Sequence, residues 1–172
     1  MSSNESPTTD QQPVIRCDSV FKIFGDKAKE MLAGVDGSNV DTKAFQEAGC
    51  IVGVNNASFD VARGEKLIIM GLSGSGKSTL LRCISRLTDA TAGRIFIEGQ
   101  DLLAMTNKQL IEIRREKMGM VFQSFALLPH KTVLENIAFP LQVKGVRTQE
   151  SIKKAMDMVE LVGLRGRENY FP

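Results

Sequence analysis

The sequence predicts one α/β domain, and three observations carry that expectation. A continuous apolar run, Lys66 to Met70, feeds a glycine-rich loop and then a stretch with 3.6-residue apolar periodicity. Strand-like and helix-like segments alternate along the chain without an internal repeat. At 172 residues, 42% of them apolar, there is material for one compact core and not for two full domains.

The elements follow in order. Met1 to Pro13 is polar and acidic, with no basic-then-apolar pattern of a secretory signal, and reads as a disordered cytosolic leader over residues 1–13. The domain is expected over 14–172. Val14 to Val20 has strand composition and runs into Phe21-Lys-Ile-Phe-Gly25. Asp26 to Ala48 mixes charge and glycine, with a weak helical pattern around Lys27 to Leu32, and reads as an inserted excursion, bounded at 26–52. Between Gly53 and Val61 the side chains of Ala57, Phe59 and Val61 alternate as in a half-buried strand, with Arg63-Gly64-Glu65 as the turn after it.

Lys66 to Met70 then reads as a strand buried on both faces of a parallel sheet. The helix expected after the glycine loop places Leu80, Leu81, Ile84 and Leu87 on one face, with Arg82 and Arg86 at its edges. Gly93 to Gly99 is a strand bounded by glycines. Thr106 with Gln109 has capping-box spacing and starts a helix with Leu110 and Ile113 inward, and Met118 to Gln123 is a further apolar run. Thr132 with Glu135 is a second capping box, opening a segment through Val143. Ile152, Ala155, Met156 and Val159 mark a last amphipathic helix ending at Gly163.

Composition excludes several classes. The 22 basic and 20 acidic side chains nearly cancel, so there is no electrostatic footprint for nucleic acid or an anionic membrane, and any phosphate site must be local. No run of about 18 apolar residues spans a bilayer. Cys17, Cys50 and Cys83 are far apart and form no C-x-x-C pair, which suits a reducing compartment and a role as small apolar fillers.

The chemistry sits at Gly71-Leu-Ser-Gly-Ser-Gly-Lys-Ser-Thr79, which matches G-x-x-x-x-G-K-[ST] between a strand pattern and a helix pattern. The pattern is that of the P-loop NTPase fold. Its glycines let the backbone approach a phosphate, so that N–H groups from Gly74 to Ser78 point into one concavity at the positive end of a helix. Lys77 would reach the β- and γ-phosphates, Ser78 would offer a hydroxyl to Mg²⁺, and Thr79 would touch the α-phosphate. The cofactors implied are ATP and Mg²⁺, with Gly71, Leu72, Ser73, Gly74, Ser75 and Gly76 completing the binding loop.

The loop, together with Met120-Val-Phe-Gln-Ser-Phe-Ala-Leu-Leu-Pro-His130 and Thr132-Val-Leu-Glu-Asn-Ile137, resembles ABC-transporter ATPases, the second and third segments being similar to their Q-loop and the start of their helical subdomain, here 124–172. Lys22-Ile-Phe-Gly25, the insertion before Gly53-Val54 and the Met70-Gly-Leu-Ser loop start resemble the glycine betaine, proline and choline import branch. The resemblance implies that Gln123 helps bind Mg²⁺ and water as a catalytic and metal-site residue beside Lys77 and Ser78, since one amide both donates and accepts. It nominates Phe24 to stack on adenine, against the alternative of a core or surface phenylalanine. It also implies a transmembrane permease docked through the Gln123 to Ile137 region, a second ATPase subunit, a solute-binding protein in the assembled system, and a cytoplasmic position on the inner face of the cell membrane. His130, the only histidine, lies in the loop after Gln123 and reads as a solvated residue or a contact to a membrane subunit, not as the family's switch histidine.

The resemblance implies three later parts: a Leu-Ser-Gly-Gly-Gln signature, an acidic strand end and that switch histidine. None occurs in this sequence, and neither Glu160 nor Glu168 follows a buried strand. A partial ABC ATPase domain, with a mixed or parallel sheet core and little hydrolysis of its own, is therefore expected. Two other readings are a P-loop kinase or GTPase, which lacks support because neither Asp-x-x-Gly nor Asn/Thr-Lys-x-Asp occurs, and a non-catalytic nucleotide-binding interaction module.

Overall fold

The computed structural model of the chain describes residues 12–35, 38–122 and 127–172. Most of the leader and Gln123 lie outside the described residues. The chain divides into two compact units, Met1–Leu110 and Ile111–Pro172.

The first unit is built on a four-stranded sheet of order β2-β1-β3-β4, from β1 (Ile15–Phe24), β2 (Ile51–Val61), β3 (Ala92–Ile97) and β4 (Gln100–Asp101), with every pairing antiparallel. β1 takes the centre because it is rich in β-branched and aromatic residues and buries both faces. Its alternation changes phase at Ser19, whose φ of 46° marks the register shift between Cys17 and Val20. Beyond the shift, Phe21 and Ile23 point at a cluster formed with Ala28, Leu32, Val40, Phe45 and Cys50. The segment after β1 is thus no loose excursion. It forms α1 (Ala28–Ala33) and α2 (Thr42–Glu47), closed by the Asp41 side chain on the Lys43 amide and tied to β2 by Asn55, which both accepts from the Val40 amide (2.8 Å) and donates to the Val40 carbonyl (3.1 Å).

Two expectations are corrected here. Lys66 to Met70 is not a strand. No strand among the described residues pairs with it, and Ile68 and Met70 are 75% and 86% exposed. Strand composition cannot make a strand without a neighbour to take its N–H and C=O groups, so the expected mixed or parallel core is absent from the described sheet. The second concerns the helix after the loop, α3 (Lys77–Ile84), which buries Leu80 and Cys83 and leaves Leu81 half exposed. It stops at Ile84, and Leu87 lies beyond the positive φ of Arg86, off the helix.

Both capping boxes form. Thr106 and Gln109 exchange bonds at the start of α4 (Asn107–Glu116), where Leu110 and Ile113 are buried. In the second unit Thr132 and Glu135 open α5 (Val133–Val143), which pairs with α6 (Thr148–Leu161) through Ala138, Ala155 and Val159, all buried. On α6, Ile152 is half-buried and Met156 is exposed, so its inner stripe runs through Ser151, Ala155 and Val159 instead. No helix among the described residues is long and apolar enough to cross a membrane.

Candidate nucleotide-binding site

The glycine loop forms the entry to α3. Gly74 and Gly76 take φ of +79° and +89°, values that only glycine adopts without cost, and these turn the chain into the helix. The amides of Lys77, Ser78 and Thr79 open α3 and have no i−4 carbonyl within it, so they remain free to meet an acceptor at the helix's positive end. Ser78 is exposed and Thr79 half-buried. The Lys77 ammonium donates to the carbonyls of Gly71 (2.8 Å) and Leu72 (2.6 Å) and to Ser75 Oγ (3.3 Å), which holds the charge over the loop's own concavity. Ser75 N closes the turn onto the Leu72 carbonyl at 3.2 Å. Leu72, Ser73 and Gly74 are all exposed.

β2 forms the opposite wall. A Cβ on Gly76 would overlap the carbonyl oxygen of Gly53, so loop and strand touch backbone to backbone. Gly53, Asn55, Thr42 of α2 and loop residues Gly71 and Gly74 to Lys77 line one depression of about 440 Å³. Phe24, at the end of β1, is 43% exposed, with Lys22 Nζ 4.8 Å from its ring centroid. Sequence reading missed Gly53, although a glycine inside a strand signals close backbone approach.

The site residues therefore gather in the first unit: Phe24, the loop from Gly71, and Lys77, Ser78 and Thr79. Gln123 lies outside the described residues. His130, in the second unit, is exposed at the turn before α5. No group of three or more His, Cys, Asp or Glu side chains that could hold a metal occurs among the described residues, and at the loop Ser78 offers an exposed hydroxyl. The donor set fits a polyphosphate with its metal: helix-end amides, an ammonium and an exposed hydroxyl, with no carboxylate among the described residues that line the depression.

The chain is 75% identical over 160 residues to the trimethylamine N-oxide transport system ATP-binding protein of Pelagibacter ubique, covering 93% of this chain and 47% of that protein. It is 45% identical over 166 residues to the glycine betaine transport ATP-binding protein of Bacillus subtilis, covering 96% of this chain and 40% of that protein. The chain thus spans about half the length of the curated relatives it matches. Among solved structures, an ATP-binding cassette in a dimeric post-hydrolysis state with ADP and Pi superposes with a TM-score of 0.72 at 29% identity, over 92% of this chain and 61% of that one. Residues 54–170 match the family described as ABC transporter, and the chain belongs to that family.

Proposed function

We propose that the chain is the nucleotide-binding part of a transport ATPase, in which ATP binding and hydrolysis drive import of a small methylated amine or related osmolyte. The observation that carries the reading is the Lys77 ammonium held over a glycine loop at the start of α3. Its solute class rests on relatives named for trimethylamine N-oxide, glycine betaine and proline betaine transport.

The roles proposed here combine the loop geometry with what the family resemblance implies. The carbonyls of Gly71 and Leu72 hold Lys77 in place, and a triphosphate would exchange these neutral acceptors for charged ones. The amides from Gly74 to Ser78 would take the phosphate oxygens, Thr79 the α-phosphate end, and Phe24 the adenine. Ser78, with Gln123, would seat Mg²⁺, which when bound neutralises charge on the phosphates. The complete subunit would pair with a second copy, dock on a permease through the Gln123 to Ile137 region, serve a system with a solute-binding protein, and sit on the inner face of the cell membrane. By itself the 172-residue chain should bind nucleotide weakly and turn over almost none, because the signature and acidic motifs are absent from its sequence.

Calorimetry with ATP and Mg²⁺ on the full-length subunit tests the site. The expected result is saturable binding that Lys77→Ala weakens by at least about tenfold, the loss of a charge-assisted contact. Unaltered affinity in that variant would end the reading, and turnover by the 172-residue chain at the rate of the complete subunit would refute only the expectation that this chain hydrolyses almost none.

A further inference from the structure

We propose that Gly53 is a positioning residue for the base end of this site, acting through Phe24. The inference rests on the nucleotide reading above and adds to it a residue to which no role had been given.

Three elements meet at Gly53. Its carbonyl lies against Gly76 of the loop. A Cβ built on Gly53 would stand 3.0 Å from Cε2 of Phe24, 3.1 Å from Cγ2 of Thr79 and 3.4 Å from the carbonyl of Lys22. The aromatic ring at the end of β1 and the threonine methyl in the first turn of α3 therefore flank a space that one methyl group would overfill.

Backbone conformation does not demand glycine here. Gly53 is not among the positive-φ glycines, so alanine can adopt its backbone and the constraint is space alone. When a methyl is added, one neighbour must give way by a few tenths of an ångström. Thr79 is fixed on α3, and the Lys22 carbonyl is main chain in a paired strand. The Phe24 ring, 43% exposed at a strand end, is the group that can turn aside. Gly53 thus leaves that ring its place across from Thr79, beside the place where an α-phosphate would lead through ribose to a base. Lys22 Nζ lies over the ring at 4.8 Å, so one aromatic face carries a cation, and a planar base would stack on the other.

The test measures the affinity of the full-length subunit for ATP and for inorganic tripolyphosphate, both with Mg²⁺, in Gly53→Ala, Phe24→Ala, the double variant and Lys77→Ala. Base stacking predicts that Gly53→Ala and Phe24→Ala each weaken ATP binding by about fivefold or more while tripolyphosphate affinity stays the same. Because Gly53 acts through Phe24, the double variant should bind ATP no more weakly than Phe24→Ala alone. Equal losses for ATP and tripolyphosphate, full additivity in the double variant, or unchanged ATP affinity in Gly53→Ala would each overturn the inference. If Gly53→Ala does not fold, Phe24→Leu, with no ring to meet the added methyl, must restore folding to it and give the pair the ATP affinity of Phe24→Leu alone; failure of that rescue also overturns it. Lys77→Ala separates the two levels. If it leaves both ligands bound normally, the site itself is misread, whereas dependence on Lys77 without dependence on Gly53 removes only the positioning role.

Discussion

Asn136 grips Leu128 at both of its main-chain groups, accepting from the amide at 2.7 Å and donating to the carbonyl at 3.1 Å. The carbonyls of Lys131 and Thr132, each at 2.9 Å, share the two hydrogens of the same Nδ2 with Leu128, so one half-buried amide organises the turn that delivers the chain into α5. Asn136→Ala removes the side chain that accepts from the Leu128 amide and should cost about 1–3 kcal/mol. Asn136→Asp should cost no less, because it sets an acceptor against three carbonyl oxygens. Chemical denaturation gives the stability, and hydrogen exchange at the Leu128 amide should accelerate in both variants. Native-like protection in Asn136→Ala would refute the stapling role.

Four donors at the head of α5 are satisfied within the second unit: Thr132 N by Glu135 Oε2, Glu135 N by Thr132 Oγ1, Val133 N by the Tyr170 carbonyl and Leu134 N by the Glu168 carbonyl. The Thr132 amide, followed by its hydroxyl and the charges of Lys131 and His130, holds the Glu135 carboxyl below the usual glutamate range. The sign follows directly. A depressed folded-state pKa contributes stability above the unfolded pKa, and that contribution is lost as pH falls through the folded value. Glu135→Gln keeps an acceptor but cannot titrate, so its melting temperature should fall less steeply on acidification than the parent's. Parallel curves for the two proteins would show that this carboxylate is not coupled to folding.

The segment between β1 and β2 is stabilised by burial, not by its own helices. α1 and α2 have six residues each, too short to persist alone, and what fixes them is Phe45 at 4% exposure against Phe21, Ile23 and Cys50. Phe45→Ala should therefore destabilise the first unit by about 3–5 kcal/mol, while Phe45→Leu recovers most of the loss. Thermal unfolding of the three proteins checks this. A loss well under 1 kcal/mol for Phe45→Ala would restore the picture of a loose insertion.

These cases show which features are legible in a sequence. The two capping boxes, the strands ending at Phe24, Val61 and Ile97, and the turn at Gly64 follow from chemistry between residues three or four apart or from simple alternation. The glycine loop is equally local, since its shape lies in the φ angles of Gly74 and Gly76. What stayed hidden depends on distant partners. Lys66 to Met70 has strand composition, yet pairing is a property of two segments. Phe45 is one aromatic in a polar stretch of sequence, and only Phe21 and Ile23 beside it make it a core residue. Gly53 has meaning only because Gly76, Phe24 and Thr79 converge on it.

Burial also sets thiol reactivity. Cys17, on β1 with 1% exposure, has its thiol pushed up to about 12, chiefly by desolvation and then by the charge of Asp18. Burial likewise raises Cys83, and Cys50 is buried and free as well. At pH 8 only about one Cys17 in ten thousand would be a thiolate even if reagent could reach it. Native protein should therefore react negligibly with iodoacetamide over minutes, and all three cysteines should react once urea unfolds it. A rapid native phase mapped to Cys17 by mass spectrometry would contradict the packing of β1.

Exposed strand-like sequence carries the last prediction. Ile68 at 75%, Met70 at 86% and Val121 at 100% exposure lie outside every helix and strand among the described residues, and such exposed apolar side chains favour association between chains. Because Ile68 gains little from the fold of this 172-residue chain, Ile68→Thr should change its thermal stability by less than about 0.5 kcal/mol. The same substitution removes apolar surface from the run and should lower both dye binding and the rate of light-scattering growth at micromolar concentration. If Ile68→Thr instead destabilised this chain by about 2 kcal/mol or more, in the range of a buried aliphatic side chain, Lys66 to Met70 would have to be packed as a strand after all.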